Sequence, residues 1–195
     1  MATREYTPRE RMVFSAAQLI RREGVGATGM RDVVEHAGAP RGSLQHYFPG
    51  GKEQLVNEAV AWAGTYAAKR IPKFLASLRN PTPSKLFAAM AEQWIAEFAT
   101  EGFDQGCPIA AVAVDGPGLA DSTRGAAAAA FGTWLDAVTA ALRDLGVPRA
   151  KASALATLVV SSLEGALLLA RAERDARPMR TVVRELGPLL DNAVA

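Results

Sequence analysis

Apolar residues recur along this chain at helical spacing in segment after segment. Thr7-Pro8-Arg9-Glu10 predicts a sharp helix start. Thr7 is the N-cap, Pro8 takes the first helical position and Glu10 completes a capping box. Met12, Val13, Ala16, Leu19 and Ile20 form the apolar stripe, and Gly24 ends the helix as a left-handed cap. A short helix follows, capped by Thr28 or Gly29, with Met30, Val33, Val34 and Ala37 as its buried face and Gly38 as its stop. Gly38-Ala39-Pro40-Arg41 leaves room only for a tight turn. A second short helix runs from about Pro40 to Tyr47, with Leu44 and Phe48 as its apolar pair, and Pro49-Gly50-Gly51 breaks it.

Beyond residue 52 the predicted helices lengthen. One spans about Lys52 to Arg70, with Pro72 bending or ending it. Thr82 caps the next, whose stripe is Phe87, Met90, Ala91, Trp94, Ile95 and Phe98. Gly102 to Pro108 is a loop and Ile109 to Val114 a short helix. Gly116-Pro-Gly118 is a further break, after which a long helix reaches Leu145 with Phe131, Trp134, Leu135, Val138 and Leu142 inward. Gly146 caps it, Pro148 opens a helix to about Asp175, and the last helix covers about Pro178 to Val194. Alanine supplies 39 of the 195 residues, against seven Phe, three Trp and three Tyr, so composition agrees with an all-α fold.

Charge and special residues narrow the chemistry. Net charge is only +2, but residues 1–55 carry eight Lys/Arg against six Asp/Glu, so the whole excess lies in the first quarter. That bias permits nucleic-acid contact. The polar N-terminus shows no signal peptide. The longest uncharged run of the most apolar segment, Ala152–Leu163, has 12 residues, short of the roughly 20 that span a membrane. A cytoplasmic protein without a membrane partner is expected. The single cysteine, Cys107, excludes an internal disulfide and a Cys-based zinc site. No H-E-x-x-H or G-x-S-x-G motif occurs, and Gly51-Lys52 lacks the spacing of a phosphate loop, so neither metal, cofactor nor enzymatic activity is expected.

The informative segment is Thr28 to Lys52. Two short helices meet at a glycine turn, and the second is bare of apolar residues except Leu44 and Phe48. A helix with small and polar positions facing solvent fits a DNA major groove about 12 Å wide, so this reads as a helix-turn-helix. Gln45 suits an adenine and Arg41 a guanine or a phosphate, while Gly42 allows close approach and His46 lies on the same face. Residues 8–55 resemble the DNA-binding domain of TetR/AcrR-type transcriptional regulators. The resemblance is carried by Ala16, Gly24, Thr28, Ala37-Gly38, Gly42, Leu44, Phe48 and Lys52-Glu53; Gly29, Ala39, Pro40 and Gln45 depart from the usual pattern. It implies that Thr28, Arg31, Ser43, Tyr47 and Lys52 approach the DNA backbone. Gly106–Asp115 and Glu164–Asp175 resemble the LmrA/YxaF-type branch.

The resemblance divides the chain into a DNA-binding domain, residues 1–52, and a helical ligand-binding and dimerisation domain, residues 53–195. It implies a repressor released from its operator by a small apolar or aromatic inducer. The competing reading is an all-α enzyme or apolar-ligand carrier with no affinity for DNA. The last two helices offer Leu155, Leu158, Val159, Ser162, Ala166 and Ala170, then Val182, Val183, Leu186 and Leu190, more apolar surface than one bundle needs, and predict a homodimer through four helices. Trp62, Tyr66, Met90, Trp94, Phe98, Phe131 and Trp134 are candidates for an inducer cavity, or are core. Glu164 stands among apolar residues and must be paired, exposed or part of that cavity.

Overall fold

The computed structural model describes residues 6–40, 42–115, 118 and 120–194. Among the described residues there are nine helices and no strand: α1 (Pro8–Ala27), α2 (Met30–His36), α3 (Ser43–Tyr47), α4 (Gly51–Ser77), α5 (Pro83–Glu101), α6 (Pro108–Val114), α7 (Asp121–Asp144), α8 (Arg149–Glu173) and α9 (Arg177–Asp191). The expected all-α class is the one observed. Contacts group the chain into two compact units, Met1–Gly64 with Cys107–Phe131, and Thr65–Gly106 with Gly132–Ala195. Helices α4 and α7 each give one half to each unit.

In the first unit α1 is the central element. Its start carries the complete capping box: the Glu10 amide donates to the Thr7 hydroxyl at 3.2 Å, and the Thr7 amide donates to the Glu10 carboxylate at 2.9 Å. Met12, Val13, Ala16, Leu19 and Ile20 are all buried, as the stripe required. They form one core with Val33 and Val34 of α2, Phe48, and Leu55, Val56, Ala59 and Val60 of α4. Helix α6 packs along α1 in the same unit. At Gly64 a Cβ would fall 2.7 Å from the carbonyl oxygen of Ala130, so α4 and α7 touch there nearly backbone to backbone.

In the second unit α9 packs along α5 and α8. Phe87, Met90, Ala91 and Phe98 of α5 are buried, with Val159, Val160, Leu163, Ala166 and Leu167 of α8 and Met179 and Leu190 of α9. Three sequence expectations change. Helix α4 continues past Pro72 to Ser77, because Ile71 is buried and Phe74 and Leu75 half-buried beyond the first five turns, and tertiary packing outweighs one lost hydrogen bond. Val159, Ala166, Ala170 and Leu190, placed on a dimer face by their spacing, are buried within the chain. Finally, α7 and α8 are long and apolar enough, by length and composition alone, to cross a membrane; Asp136 and Glu164 interrupt their uncharged runs but do not lower the mean enough. Both carry buried stripes at helical spacing, the pattern of bundle helices.

The start of α5 is closed from a distance. Thr82 is its N-cap, accepting from the Lys85 amide at 3.3 Å. Asp191, the last residue of α9, accepts from the Ser84 amide at 2.9 Å and the Ser84 hydroxyl at 2.6 Å. Burial alone would raise the Asp191 pKa. The bonds from Ser84 and Thr82 and the nearby Lys85 charge outweigh it, so the carboxyl sits below its ordinary 3.8. A depressed carboxylate stabilises the fold fully above its ordinary pKa, and the contribution is lost as pH falls through the lower folded value. Asp191→Ala is therefore expected to cost about 1 kcal/mol at neutral pH, as for other lost caps, and the difference from wild type should vanish in acid. Urea unfolding of both proteins at neutral pH and at a pH well below the ordinary carboxylate value, about 2, checks this.

Candidate nucleic-acid interface

The turn between α2 and α3 is fixed by backbone chemistry. The Gly38 amide donates to the Glu35 carbonyl and the Ala39 amide to the Val34 carbonyl, both at 3.0 Å, a Schellman closure. It requires the left-handed region, which Gly38 occupies at φ 58°. Arg11 of α1 adds a bond from Nε to the Ala37 carbonyl at 3.1 Å, so the end of α2 is tied to the core helix. His36 Nδ1 lies 2.9 Å from the hydroxyl of buried Ser15.

Helix α3 has five residues and no side-chain N-cap. It begins later than the spacing suggested: the Ser43 amide and hydroxyl both donate to the Pro40 carbonyl, at 3.0 and 2.6 Å, making a turn that leads into the helix. Its anchor is Phe48, fully buried, whose amide closes on the Leu44 carbonyl at 2.8 Å. Arg9 covers the Phe48 ring, 5.3 Å from its centroid, and bonds Glu58 of α4 at 2.6 Å; Gln54 holds the same carboxylate. Gly42, Gln45 and His46 are left exposed, and a Cβ at Gly42 would meet nothing within 4 Å. The His46 ring stands edge-on to Tyr47, which is half-buried.

The remaining predicted contacts fall in different surroundings. Arg31 is exposed on α2. Thr28 is buried and its hydroxyl donates to the Gly24 carbonyl at 2.7 Å, closing the last turn of α1. Lys52 is half-buried at the start of α4, with Nζ 3.3 Å from the Gly26 carbonyl; two further N–H groups of the ammonium remain for another acceptor. Arg41 lies outside the described residues. Arg9, Arg11 and Glu58 were not singled out from the sequence. Their roles arise from partners on other helices, and nothing in their local spacing marks them.

The candidate cavity residues separate by unit. In the first, Trp62 packs edge-on against Phe14, ring centroids 5.3 Å apart, and Phe131 is half-buried. In the second, Met90, Phe98 and Trp134 are buried, and Phe98 stacks on Phe103 at 4.7 Å. Trp94 is half-buried. Tyr66 is 43% exposed and its hydroxyl accepts from Arg70, whose guanidinium also lies over Phe74. Glu164 has both carboxylate oxygens withdrawn from solvent.

Comparison with known proteins identifies both parts of the chain. A family model described as bacterial regulatory proteins, tetR family, matches residues 15–59. A second, described as transcriptional regulator LmrA/YxaF-like, C-terminal domain, matches residues 83–185. An uncharacterized HTH-type transcriptional regulator of Mycobacterium tuberculosis is 44% identical over 188 residues, 94% of each chain. The HTH-type transcriptional regulator LmrA of Bacillus subtilis is 28% identical over 171 residues, covering 88% of this chain and 90% of LmrA. A TetR transcriptional regulator from Legionella pneumophila superposes with a TM-score of 0.81 at 20% identity, over 96% of this chain and all of that one. A TetR-family regulator from Agrobacterium tumefaciens gives 0.77 at 25% identity, over 96% and 98%. These relatives are transcriptional regulators and not enzymes, which sets aside the enzyme alternative. A helix-turn-helix seated on a buried α1, followed by a helical region that matches the LmrA/YxaF-like domain, means that this chain belongs to the TetR family of bacterial transcriptional regulators.

Proposed function

We propose that this regulator is a cytoplasmic homodimeric repressor, which holds two copies of α3 at the spacing of two operator half-sites and releases DNA when a small apolar or aromatic inducer binds. Residues 1–52 are the reader, and residues 53–195 the sensing and dimerising part. The observation that carries the reading is the exposed polar face of α3, Gly42, Gln45 and His46, anchored from behind by buried Phe48. Gln45 and His46 meet base edges, while Arg31, Ser43, Tyr47 and Lys52 approach phosphates. Thr28 contributes by holding the end of α1.

The dimer reading is supported by an apolar face that the chain itself leaves open. Ala154, Leu158, Ser161, Gly165, Leu168 and Ala172 lie at steps of three and four along α8 and are all exposed, with Leu168 at 49%. Leu169 beside them and Leu189 on α9 are exposed as well. Small residues between leucines allow two helices to approach closely, and exposed leucines at this density point to a protein partner. The inducer reading is supported by Glu164, a carboxylate withdrawn from solvent on the otherwise uncharged Leu155–Ala170 stretch of α8. We assign Met90, Trp94, Phe98, Trp134 and Glu164 of the second unit to inducer binding, the aromatic surfaces supplying stacking and the carboxylate polarity.

Three experiments test this. Selection from a randomised duplex library by the wild-type protein should yield a two-fold symmetric site, and loss of the chromosomal gene should raise transcription from the promoter that carries it. Gln45→Ala should then change the selected sequence at one position per half-site, by about 1–3 kcal/mol; an unchanged profile removes Gln45 from base readout. In sedimentation, Leu168→Arg should yield a folded monomer with an unchanged helical circular dichroism spectrum, where wild type is a dimer at micromolar concentration. Planar aromatic compounds should quench tryptophan fluorescence and release the selected duplex. Trp94→Ala should raise the concentration needed for release about tenfold or more while operator affinity stays within about twofold. Equal loss of both would make Trp94 structural.

A further inference from the structure

Helix α1 does not end cleanly. At Gly24 the backbone turns to φ 84° and ψ 168°, a conformation open to glycine, and a last turn of three residues, Val25 to Ala27, follows. Such a break interrupts the i−4 ladder, so amides just beyond it need acceptors from elsewhere, as at any helix start. Gly26 finds its acceptor 89 residues away: its N–H donates to Oδ2 of Asp115 at 3.0 Å. Asp115 is the C-cap of α6. The other side of Gly26 is held too, since its carbonyl accepts from Lys52 of α4. Thr28 closes the turn by donating both its amide and its hydroxyl to the Gly24 carbonyl. The next residue, Gly29, is the N-cap of α2.

The carboxylate lies directly against the break. A Cβ at Gly24 would stand 3.9 and 4.0 Å from the two Asp115 oxygens, ordinary van der Waals contact, so it is the positive φ and not a lack of space that calls for glycine there. Three elements, α1, α4 and α6, therefore converge on one residue, Gly26, and the chain that leaves it becomes the first helix of the reading pair.

We propose that Asp115 is a positioning residue for DNA binding: its carboxylate clamps the Gly26 amide and thereby fixes the end of α1, and with it the entry into α2 and α3, in the reading orientation. The inference rests on the DNA-reading function proposed above and adds a residue that lies in the stretch matched by the LmrA/YxaF-like domain, not by the DNA-binding one. The clamp needs an acceptor and not a charge, so asparagine at this position preserves it through its side-chain oxygen.

The sign of the effect separates the clamp from plain electrostatics. Removing a carboxylate from a DNA-binding protein reduces repulsion of the phosphates and by itself tightens binding. The clamp predicts the reverse. Full-length wild type, Asp115→Ala and Asp115→Asn are titrated by fluorescence anisotropy against the duplex that wild type selects from a randomised library. Asp115→Ala should bind about five- to tenfold more weakly, in keeping with loss of one hydrogen bond to a charged group at the surface, and Asp115→Asn within about twofold of wild type. Melting midpoints should stay within a few degrees, so that every protein is folded at the assay temperature. Amide exchange at Gly26, followed by NMR, should accelerate in Asp115→Ala and not in Asp115→Asn. Should the alanine variant fail to fold, Asp115→Ser, whose side chain is too short to reach, replaces it. Equal or tighter binding by the alanine or serine variant overturns the clamp, as does an asparagine variant as weak as alanine, or unchanged exchange at Gly26. Wild type that enriches no duplex overturns the DNA reading itself, and the clamp with it.

Discussion

Seven and five residues are too few for α2 and α3 to hold themselves in water, where isolated helices shorter than about 12–15 residues are marginal. Everything that reads DNA in this protein therefore depends on a surface that holds those two helices. Helix α1 provides it. Its buried stripe meets Val33 and Val34 from α2 in a shared core, and Arg11 ties down the end of α2. Phe48 drives the end of α3 into the same core, under a guanidinium that Glu58 of α4 keeps in place. The polar face of α3 is left outward, with Leu44 half-buried and Phe48 buried at its end.

That dependence explains why residues far from the reading face matter to it. Helix α6 belongs by sequence to the stretch matched by the LmrA/YxaF-like domain, yet it packs along α1 in the first compact unit. A regulator must convey the state of one part to another through physical contact between elements with defined positions. Here α4 and α7 run through both units as continuous helices, and Gly64 brings their backbones together within the first.

Several polar bonds that organise the chain are long-range closures of helix ends. Asp191 serves the start of α5, Arg11 the end of α2, and Asp115 the turn after Gly24. Each satisfies backbone groups that a helix terminus leaves without an internal partner. In a chain of helices joined by short loops, such closures help set where helix ends are placed, while buried Val, Leu, Ile, Met and Phe side chains supply the bulk of the close packing.

Local chemistry is what made the sequence readable. The Thr7–Glu10 capping box, Thr82 as a cap and Gly38 as a stop are written within a few residues of where they act, and the structure has them where the spacing put them. The stripe from Met12 to Ile20 is buried throughout, because period 3.6 alone decides which side of a helix is apolar. What local spacing could not give was the competition between helices for one apolar surface. Val159, Ala166 and Leu190 read as outward, but they are inside, because α8 carries apolar residues on more than one side and only packing decides which side the chain itself covers, while the apolar side of α9 is taken up within the chain. Pro72 read as an ending or a bend, and α4 does not end there but runs on to Ser77, with Phe74 and Leu75 half-buried beyond it. Lys52 shows the same limit at the reading end, since its partner, the Gly26 carbonyl, becomes a neighbour only when α4 packs beside the end of α1. The sequence by itself determined the helices, their caps and the polar face of α3, all set by interactions within one or two turns. Tertiary structure alone decided which faces are shared and which helix ends take a distant side chain, as with Asp191, Arg11 and Asp115, because those bonds form between residues that only the fold brings together.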